Sequence, residues 1–296
     1  MASLRNLTSQ AYEKLLLREI DDGPAHVAVI QDGNRRYARK RGEKATDGHR
    51  AGARTTERVL DWCEELGIEE LTLYAFSTEN FNRPAEERRA LYDLLCEKLV
   101  EFADAERVHD GGVRIRTLGN IEALPDRVQE AARYAERRTR GYETFVLNIA
   151  LAYGGRAELL RVARNVTRAV AEGDLPADEI DIGEIDRRLY DDEIRDVDLI
   201  IRTGGDERTS NFLPWHANGN EAAVFFCAPY WPEFSKIDFL RAVRTYHNRE
   251  SSRRQTRSRR ALTLVRALSD VDLPKARDVL DGEAESPAEP ATPVER

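Results

Sequence analysis

Short apolar runs rich in β-branched residues recur along the chain at Val27–Ile30, Leu71–Phe76, Val113–Leu118, Phe145–Ala152, Asp198–Ile201 and Ala222–Cys227. The stretches between them are longer. In Arg50–Leu66, Ala85–Val108, Asp126–Arg140 and Arg156–Glu172 the apolar residues return every third or fourth position. The first spacing predicts buried strands and the second amphipathic helices. Their alternation predicts an α/β fold, a single domain with a central, mostly parallel six-stranded sheet flanked by helices. No internal repeat interrupts the order.

The unusual polar residues fall just after the strands. Asp32-Gly33-Asn34 follows the first, Ser77-Thr78-Glu79-Asn80 the second and Gly119-Asn120 the third. Gly154-Gly155-Arg156 follows the fourth and Thr203-Gly204-Gly205-Asp206 the fifth. In a parallel sheet these ends share one edge, where open α/β proteins bind ligands, so the segments are expected to converge on one site. The richest is His26–Tyr37 (HVAVIQDGNRRY), where an apolar strand stops at a carboxylate and Arg35 and Arg36 follow in a predicted helix start. Helix-terminal N–H groups and two guanidinium groups suit a phosphate, and Asp32 suits a divalent cation.

Composition narrows the picture. Apolar residues make up 41% of the chain, enough for a sizeable core, and a formal charge of −8 argues against nucleic acid as a partner. Only six of the 46 basic residues are lysine, a bias that fits a GC-rich genome or adaptation to high salt. Cys63, Cys96 and Cys227 are far apart and odd in number, so reduced, buried thiols in a cytoplasmic protein are expected. Met1–Asp22 reads as a charged amphipathic segment, and no run approaches the roughly 20 apolar residues that span a bilayer. Arg249–Arg260 carries six arginines against one glutamate, with a helical pattern continuing through Leu268. A solvated helix face is expected there, with an approach to anionic lipid as the alternative. After about Asp281 the composition turns to Glu, Ala, Pro and Thr, as in a disordered acidic tail.

Together these motifs resemble the cis-prenyltransferase family, also called undecaprenyl diphosphate synthases. The resemblance runs through His26–Arg36, Gly48–Gly52 (GHRAG), Leu73–Arg83 (LYAFSTENFNR), Leu147–Ala150, Tyr153–Arg156 (YGGR), Ile201–Asp206 (IRTGGD), Ser210–Leu213 and Trp231–Phe234. It implies condensation of isopentenyl diphosphate onto an allylic diphosphate, geranylgeranyl or farnesyl. The product would be a long polyprenyl diphosphate, precursor of a glycosyl carrier lipid, with Mg2+ as cofactor and a homodimer as the assembly. By position it assigns Asp32 to the metal and the leaving diphosphate, and Glu221 to the metal. Gly33, Asn34, Arg35, Arg36, Tyr37 and His49 would surround the allylic diphosphate. Ser77, Thr78, Glu79, Asn80, Phe81 and Arg83 would shape the junction of the two substrates. Asn80 matches the residue proposed to assist proton removal; an amide is better suited to orient the oxygen that accepts the proton. Arg83 would bind diphosphate, and Phe76 and Phe81 would cover the allylic chain. Arg202, Arg208, Thr209 and Ser210 match the isopentenyl diphosphate site; read alone, Arg202 would pair with Asp198 or Asp206. Leu91, Leu94, Leu95, Leu99 and Phe102, with Leu147, Ile149 and Leu151, would line a tunnel for the growing lipid. Slow release of such a product implies peripheral contact with a membrane.

Composition and the resemblance together divide the chain into an N-terminal helical segment (1–22), a catalytic domain (23–250), an arginine-rich helical extension (251–280) and the tail (281–296). Arg35 departs from the family, which usually has glycine there, and Ala45 stands where an arginine often contacts diphosphate. A non-catalytic partner subunit is the alternative reading; the presence of Asp32, Arg36, Asn80 and Arg202 disfavours it. A phosphohydrolase using Asp32 as nucleophile would want an acid where Asn34 stands. The all-helical trans-type synthases use an Asp-Asp-x-x-Asp motif, which Asp191-Asp192-Glu193-Ile194-Arg195 does not complete.

Overall fold

The computed structural model describes residues 2–190, 194–217 and 222–267, with side chains described between 8 and 256. Six strands form one sheet: β1 (His26–Ile30), β2 (Glu70–Tyr74), β3 (Val113–Leu118), β4 (Phe145–Ala150), β5 (Leu199–Arg202) and β6 (Ala223–Phe226). Their order is β3-β4-β2-β1-β5-β6, and every neighbouring pair is parallel. The apolar runs after β2 and β4 reach further than the strands. Ala75 and Phe76 both donate to the carbonyl of Ala150 as the two chains leave the ladder and turn into loops at the carboxyl edge.

The helices are α1 (Ala2–Glu19), α2 (Asn34–Lys40), α3 (Ala45–Glu65), α4 (Ala85–Asp104), α5 (Glu106–Asp110), α6 (Asp126–Thr139), α7 (Gly155–Glu172), α8 (Ile182–Leu189) and α9 (Lys236–Ala267). Three of them differ from the apolar spacing. The stretch Ala85–Val108 is two helices, because Ala105 is extended (φ −67°, ψ 129°) and breaks the hydrogen-bond ladder. The helix expected from Arg50 starts at Ala45, which places His49 one turn inside it rather than at its start. The arginine-rich stretch 249–260 is the continuation of a helix that begins at Lys236. The chain divides into two compact units after His247; the first contains the sheet, and the second, among the described residues, is the last part of α9. Residues 268–296, including the acidic tail, lie outside the described residues.

One face of the sheet carries Val27, Val29, Leu71, Leu73, Leu147, Ile149 and Ile201, packed against Val59 and Trp62 of α3, Leu99 and Phe102 of α4 and Val128 and Ala135 of α6. On the other face Ala28, Ile30, Ala150 and Ile200 meet Ile194, Val197, Phe212 and Leu213. Toward the amino ends that face turns polar. His26 Nε2 lies 2.7 Å from Thr72 Oγ1, and Asn148 donates to Glu70 at 2.6 Å and to Thr72 at 3.0 Å. Burial lowers the His26 pKa to about 4, opposed by the hydrogen bond to the Arg195 carbonyl. Cys63 and Cys227 are buried, but Cys96 on α4 is only partly so. No helix among the described residues is long and apolar enough to cross a membrane.

Candidate active site

At the end of β1 the chain is fixed by its neighbours before it turns. The Asp32 carbonyl accepts from Thr203 Oγ1 at 2.7 Å and from the Trp231 N–H at 2.9 Å. Gly33 then adopts φ 102°, and a Cβ there would lie 2.7 Å from the Tyr230 ring, so both backbone and space require glycine. The GHRAG stretch has a steric role of its own. A Cβ on Gly48 would stand 2.1 Å from the Asn34 carbonyl oxygen, and one on Gly52 2.3 Å from Asn34 Oδ1. These two glycines, one turn apart on α3, let α2 pack close and bring Asn34 and His49 to a common wall.

Two clusters of charge follow. In the first, Asp32 Oδ2 accepts from Arg202 Nη2 at 2.7 Å, while Oδ1 takes the Gly33 N–H at 2.6 Å and lies 3.0 Å from Arg36 Nη2. Burial pushes the Asp32 carboxyl up, but the Arg202 hydrogen bond and the charges of Arg36 and Arg202 together hold it below the usual carboxylate range. Arg202, with 3% of its side chain exposed, also donates through Nη1 to Ser210 Oγ and to the Arg208 carbonyl, both at 2.5 Å. Asp206 lies among three guanidinium groups, 3.2 Å from Arg202, 3.5 Å from Arg208 and 3.6 Å from Arg36. Asp198, the other partner considered for Arg202, instead accepts the N–H groups of Ala25 and His26.

The second cluster centres on Glu87 in the first turn of α4. Arg83 Nη1 donates to it at 2.9 Å, Arg35 Nε lies 3.3 Å away and His49 Nε2 3.9 Å. Arg83 is also 3.3 Å from His49. Burial, together with the positive charges of Arg83 and Arg35, lowers the His49 pKa to about 4.

A cavity of about 490 Å³ joins the clusters. Asp32, Gly33, Asn34, Arg35, Arg36, His49, Ser77, Glu79, Asn80, Arg83, Arg202, Arg208 and Ser210 line its polar end. It continues between α3 and α4, over Leu73 and Ile149 of the sheet, along Leu91, Leu94, Leu95, Leu99 and Phe102. Leu147 and Leu151, expected on that wall, are fully buried in the core behind it.

The loop after β2 is split by its geometry. Thr78–Asn82 is a 3₁₀ turn, in which residues three apart eclipse one another. Ser77, Asn80 and Arg83 therefore share the wall of this cavity, whereas Thr78 and Phe81 face a second one of about 430 Å³ with Asn120, Tyr153 and Leu160. Phe81 does not cover the apolar trough as expected, and Phe76 is fully buried against it, ring centroids 5.1 Å apart. Asn80 lines the cavity, and its Oδ1 accepts the Ser77 N–H at 3.1 Å, which leaves the amide NH2 uncommitted to the turn. Tyr37 lies under the Arg41 guanidinium, 5.3 Å from it, and does not reach the wall. Thr209 does not line it either, and Glu221 lies outside the described residues. Glu87 and the tunnel residue Lys98 were not singled out from the sequence, where each looks like an ordinary solvated charge; Asp206 was named there as one of two partners for Arg202, and it lies 3.2 Å from that guanidinium.

Residues 30–254 match the family model described as "Putative undecaprenyl diphosphate synthase". The chain is 66% identical over 278 residues to the tritrans,polycis-undecaprenyl-diphosphate synthase (geranylgeranyl-diphosphate specific) of Halobacterium salinarum, covering 94% of this chain and 92% of that one. The protein of the same description from Haloarcula marismortui is 60% identical, over 93% and 91% of the two chains. Among solved structures, lavandulyl diphosphate synthase from Lavandula x intermedia in complex with dimethylallyl diphosphate superposes with a TM-score of 0.70 at 30% identity, over 76% of this chain and 95% of that one. With the motifs, the parallel sheet and these relatives in agreement, the chain belongs to the undecaprenyl diphosphate synthase family, enzymes of cis-prenyl chain elongation.

Proposed function

We propose that this protein adds isopentenyl units to geranylgeranyl diphosphate and makes a polyprenyl diphosphate of undecaprenyl length, precursor of a glycosyl carrier lipid. The observation that carries the reading is one cavity whose polar end joins two arginine clusters, one on Asp32 and one on Glu87, with a long apolar trough leading away from them. Geranylgeranyl diphosphate is favoured over farnesyl diphosphate as primer by the descriptions of the two haloarchaeal relatives. Those relatives give the partner-subunit alternative no support.

Arg35, Arg36 and Arg83 hold the allylic diphosphate, and Arg202, Arg208 and Ser210 hold that of the isopentenyl unit. The allylic C–O bond breaks as diphosphate leaves, a carbon–carbon bond forms to the terminal carbon of the isopentenyl unit, and a proton departs to leave the cis double bond. Charge grows on the leaving oxygens, where fixed guanidinium donors lower the barrier. Asn80, offering its amide hydrogens, orients the oxygen that takes the proton. Magnesium, when bound, would neutralise the leaving diphosphate. Asp32 fits that ion, since its carboxylate is held ionised on the cavity wall. Among the described residues no group of three metal-ligating side chains forms a ready cage. The remaining ligands would be diphosphate oxygens and water, a mode magnesium favours, with Glu221 as a further candidate.

The same reading makes the protein a cytoplasmic homodimer that touches a membrane peripherally as product leaves. Light scattering of the purified protein tests the assembly. For the activity itself, the protein is incubated with labelled isopentenyl diphosphate, Mg2+ and geranyl, farnesyl or geranylgeranyl diphosphate, and the products are sized. Long products formed most efficiently from geranylgeranyl diphosphate are expected; equal use of farnesyl diphosphate overturns the primer assignment, and no elongation overturns the function.

A further inference from the structure

Among the described residues four that are not glycine have a left-handed backbone, and three of them fall in one short run: Ser210 (φ 47°), Asn211 (φ 62°) and Leu213 (φ 47°). In that conformation the Cβ of an L residue crowds the following carbonyl oxygen, and asparagine tolerates it better than serine or leucine. Such strain persists only where the surroundings over-determine it.

They do so here. Phe212 is buried and stacks flat on Tyr74, ring centroids 4.4 Å apart and planes at 4°, with the Tyr153 ring edge-on at 5.8 Å. Leu213 is buried in the same cluster, and its carbonyl accepts the Ala217 N–H at 2.8 Å. The Asn211 carbonyl accepts the N–H of Gly155, the first residue of α7, at 3.0 Å, and the Phe212 N–H donates to the Thr209 carbonyl at 3.0 Å. A Cβ on Gly155 would stand 2.2 Å from the Pro214 ring and 2.8 Å from the Asn211 oxygen, so glycine lets α7 reach the loop.

The turn separates two tasks. Before it, Ser210 Oγ and the Arg208 carbonyl both accept from Arg202 Nη1 at 2.5 Å, and Ser210 lines the cavity. After it, Phe212 and Leu213 are anchored in the core. Asn211 joins the halves. It does not line the cavity and its side chain is exposed, so neither substrate contact nor packing uses that side chain. What the position uses is a backbone that enters the left-handed region. If residue 211 relaxed to an extended or right-handed conformation with Phe212 still anchored, the displacement would fall on Ser210 and Arg208.

We propose that Asn211 is a positioning residue for isopentenyl diphosphate: its left-handed backbone, locked to α7 through Gly155, holds the Ser210 hydroxyl and the Arg208 segment at the cavity wall. The proposal rests on the assignment of Arg202, Arg208 and Ser210 to that substrate and adds the residue that sets their geometry.

The test measures KM for isopentenyl diphosphate, KM for geranylgeranyl diphosphate and kcat in wild type, Asn211→Gly, Asn211→Ala, Asn211→Val, Gly155→Ala, Ser210→Ala and Gly173→Ala. Glycine enters the left-handed region freely, alanine poorly and a β-branched residue worst. KM for isopentenyl diphosphate should stay within about twofold of wild type in Asn211→Gly, rise about threefold to tenfold in Asn211→Ala and rise further in Asn211→Val. KM for the allylic diphosphate should stay within about twofold in all three. Gly155→Ala, which presses on the loop from α7, should give the alanine signature without any change at Asn211. Gly173 is also left-handed (φ 83°) but caps the other end of α7 with nothing near its Cβ position, so Gly173→Ala strains the fold and should move neither KM. If the valine variant fails to fold, the comparison of glycine with alanine decides. Equal isopentenyl KM values for Asn211→Gly and Asn211→Ala, or a parallel rise in both KM values, overturn the positioning role. An unchanged isopentenyl KM in Ser210→Ala overturns the substrate assignment and the proposal with it, and failure of the wild-type protein to elongate overturns the proposed function.

Discussion

Asp32 and Arg202 stand 170 positions apart in the sequence and meet at 2.7 Å where the ends of β1 and β5 lie side by side. The contact makes one centre of what the sequence presents as two diphosphate sites. Asp32→Asn keeps the shape and removes the charge, and labelled isopentenyl incorporation should fall by at least about 100-fold. Asp32→Ala should also lose about 1–3 kcal/mol of stability in denaturant, because it strips buried Arg202 of one of its two carboxylates. Retained activity in either variant would sink the role given to Asp32.

Gly48→Ala forces a methyl group to within 2.1 Å of a backbone oxygen. Overpacking of that kind should cost about 2–3 kcal/mol and displace Asn34 from the cavity wall, so activity falls with stability. Gly141, with nothing near its Cβ position, serves as the control; Gly141→Ala should change stability by no more than about 0.5 kcal/mol. Equal melting temperatures for the two variants would contradict the packing account.

His26 and His49 both have folded pKa values of about 4 against 6.5 for a free side chain. As pH falls through 6.5 the unfolded chain takes up protons that the folded protein does not, so stability declines between pH 6.5 and about 4. Each histidine contributes up to roughly 3 kcal/mol across that window. Denaturant titrations at neutral and mildly acid pH should show the decline, and His49→Gln should remove part of its slope. A flat profile would mean that one or both histidines protonate in the folded state.

Arg35 replaces the family's usual glycine and reaches Glu87 with 47% of its side chain exposed. An exposed pair is worth at most about 1 kcal/mol. Arg35→Gly should therefore raise KM for the allylic diphosphate by about threefold to tenfold and leave kcat nearly unchanged. A large fall in kcat would place Arg35 in the chemical step instead.

Each five-carbon unit added to the product buries roughly 3–4 kcal/mol of apolar surface. Release into water should then limit steady-state turnover. A nonionic detergent should raise the steady rate while leaving the first-turnover burst unchanged, and a rate indifferent to detergent would show that release is not limiting.

The strands were legible because a parallel sheet covered on both faces demands apolar residues at successive positions, as Val27–Ile30 and Leu199–Ile201 show. The site was legible because the polar interruptions fall at one edge of that sheet. Less visible were features whose residues satisfy two rules at once. Glu87 in the first turn of α4 looks like an ordinary response to the helix dipole. Lys98 interrupts an apolar stripe as any surface lysine would. The break at Ala105 involves neither glycine nor proline, and the apolar spacing carries on through it. Phe81 was misplaced because its neighbours suggested a common aromatic frame, whereas the period of three in a 3₁₀ turn sends it to the other side of the loop.

The positions of Glu87 and Asp206 bear on how substrate is recognised. Arginines that are to meet the two diphosphates are already engaged by these internal carboxylates, so an arriving ligand displaces an anion instead of filling an empty positive pocket. Arg35, Arg36, Arg39, Arg83, Arg202 and Arg208 on the cavity wall outnumber Asp32, Glu79 and Asp206, so the resting site stays net positive and the carboxylates offset only part of its charge. On the proposed reading, a diphosphate would take over the guanidinium contacts that these carboxylates hold at rest, so binding would be an exchange of partners at contact.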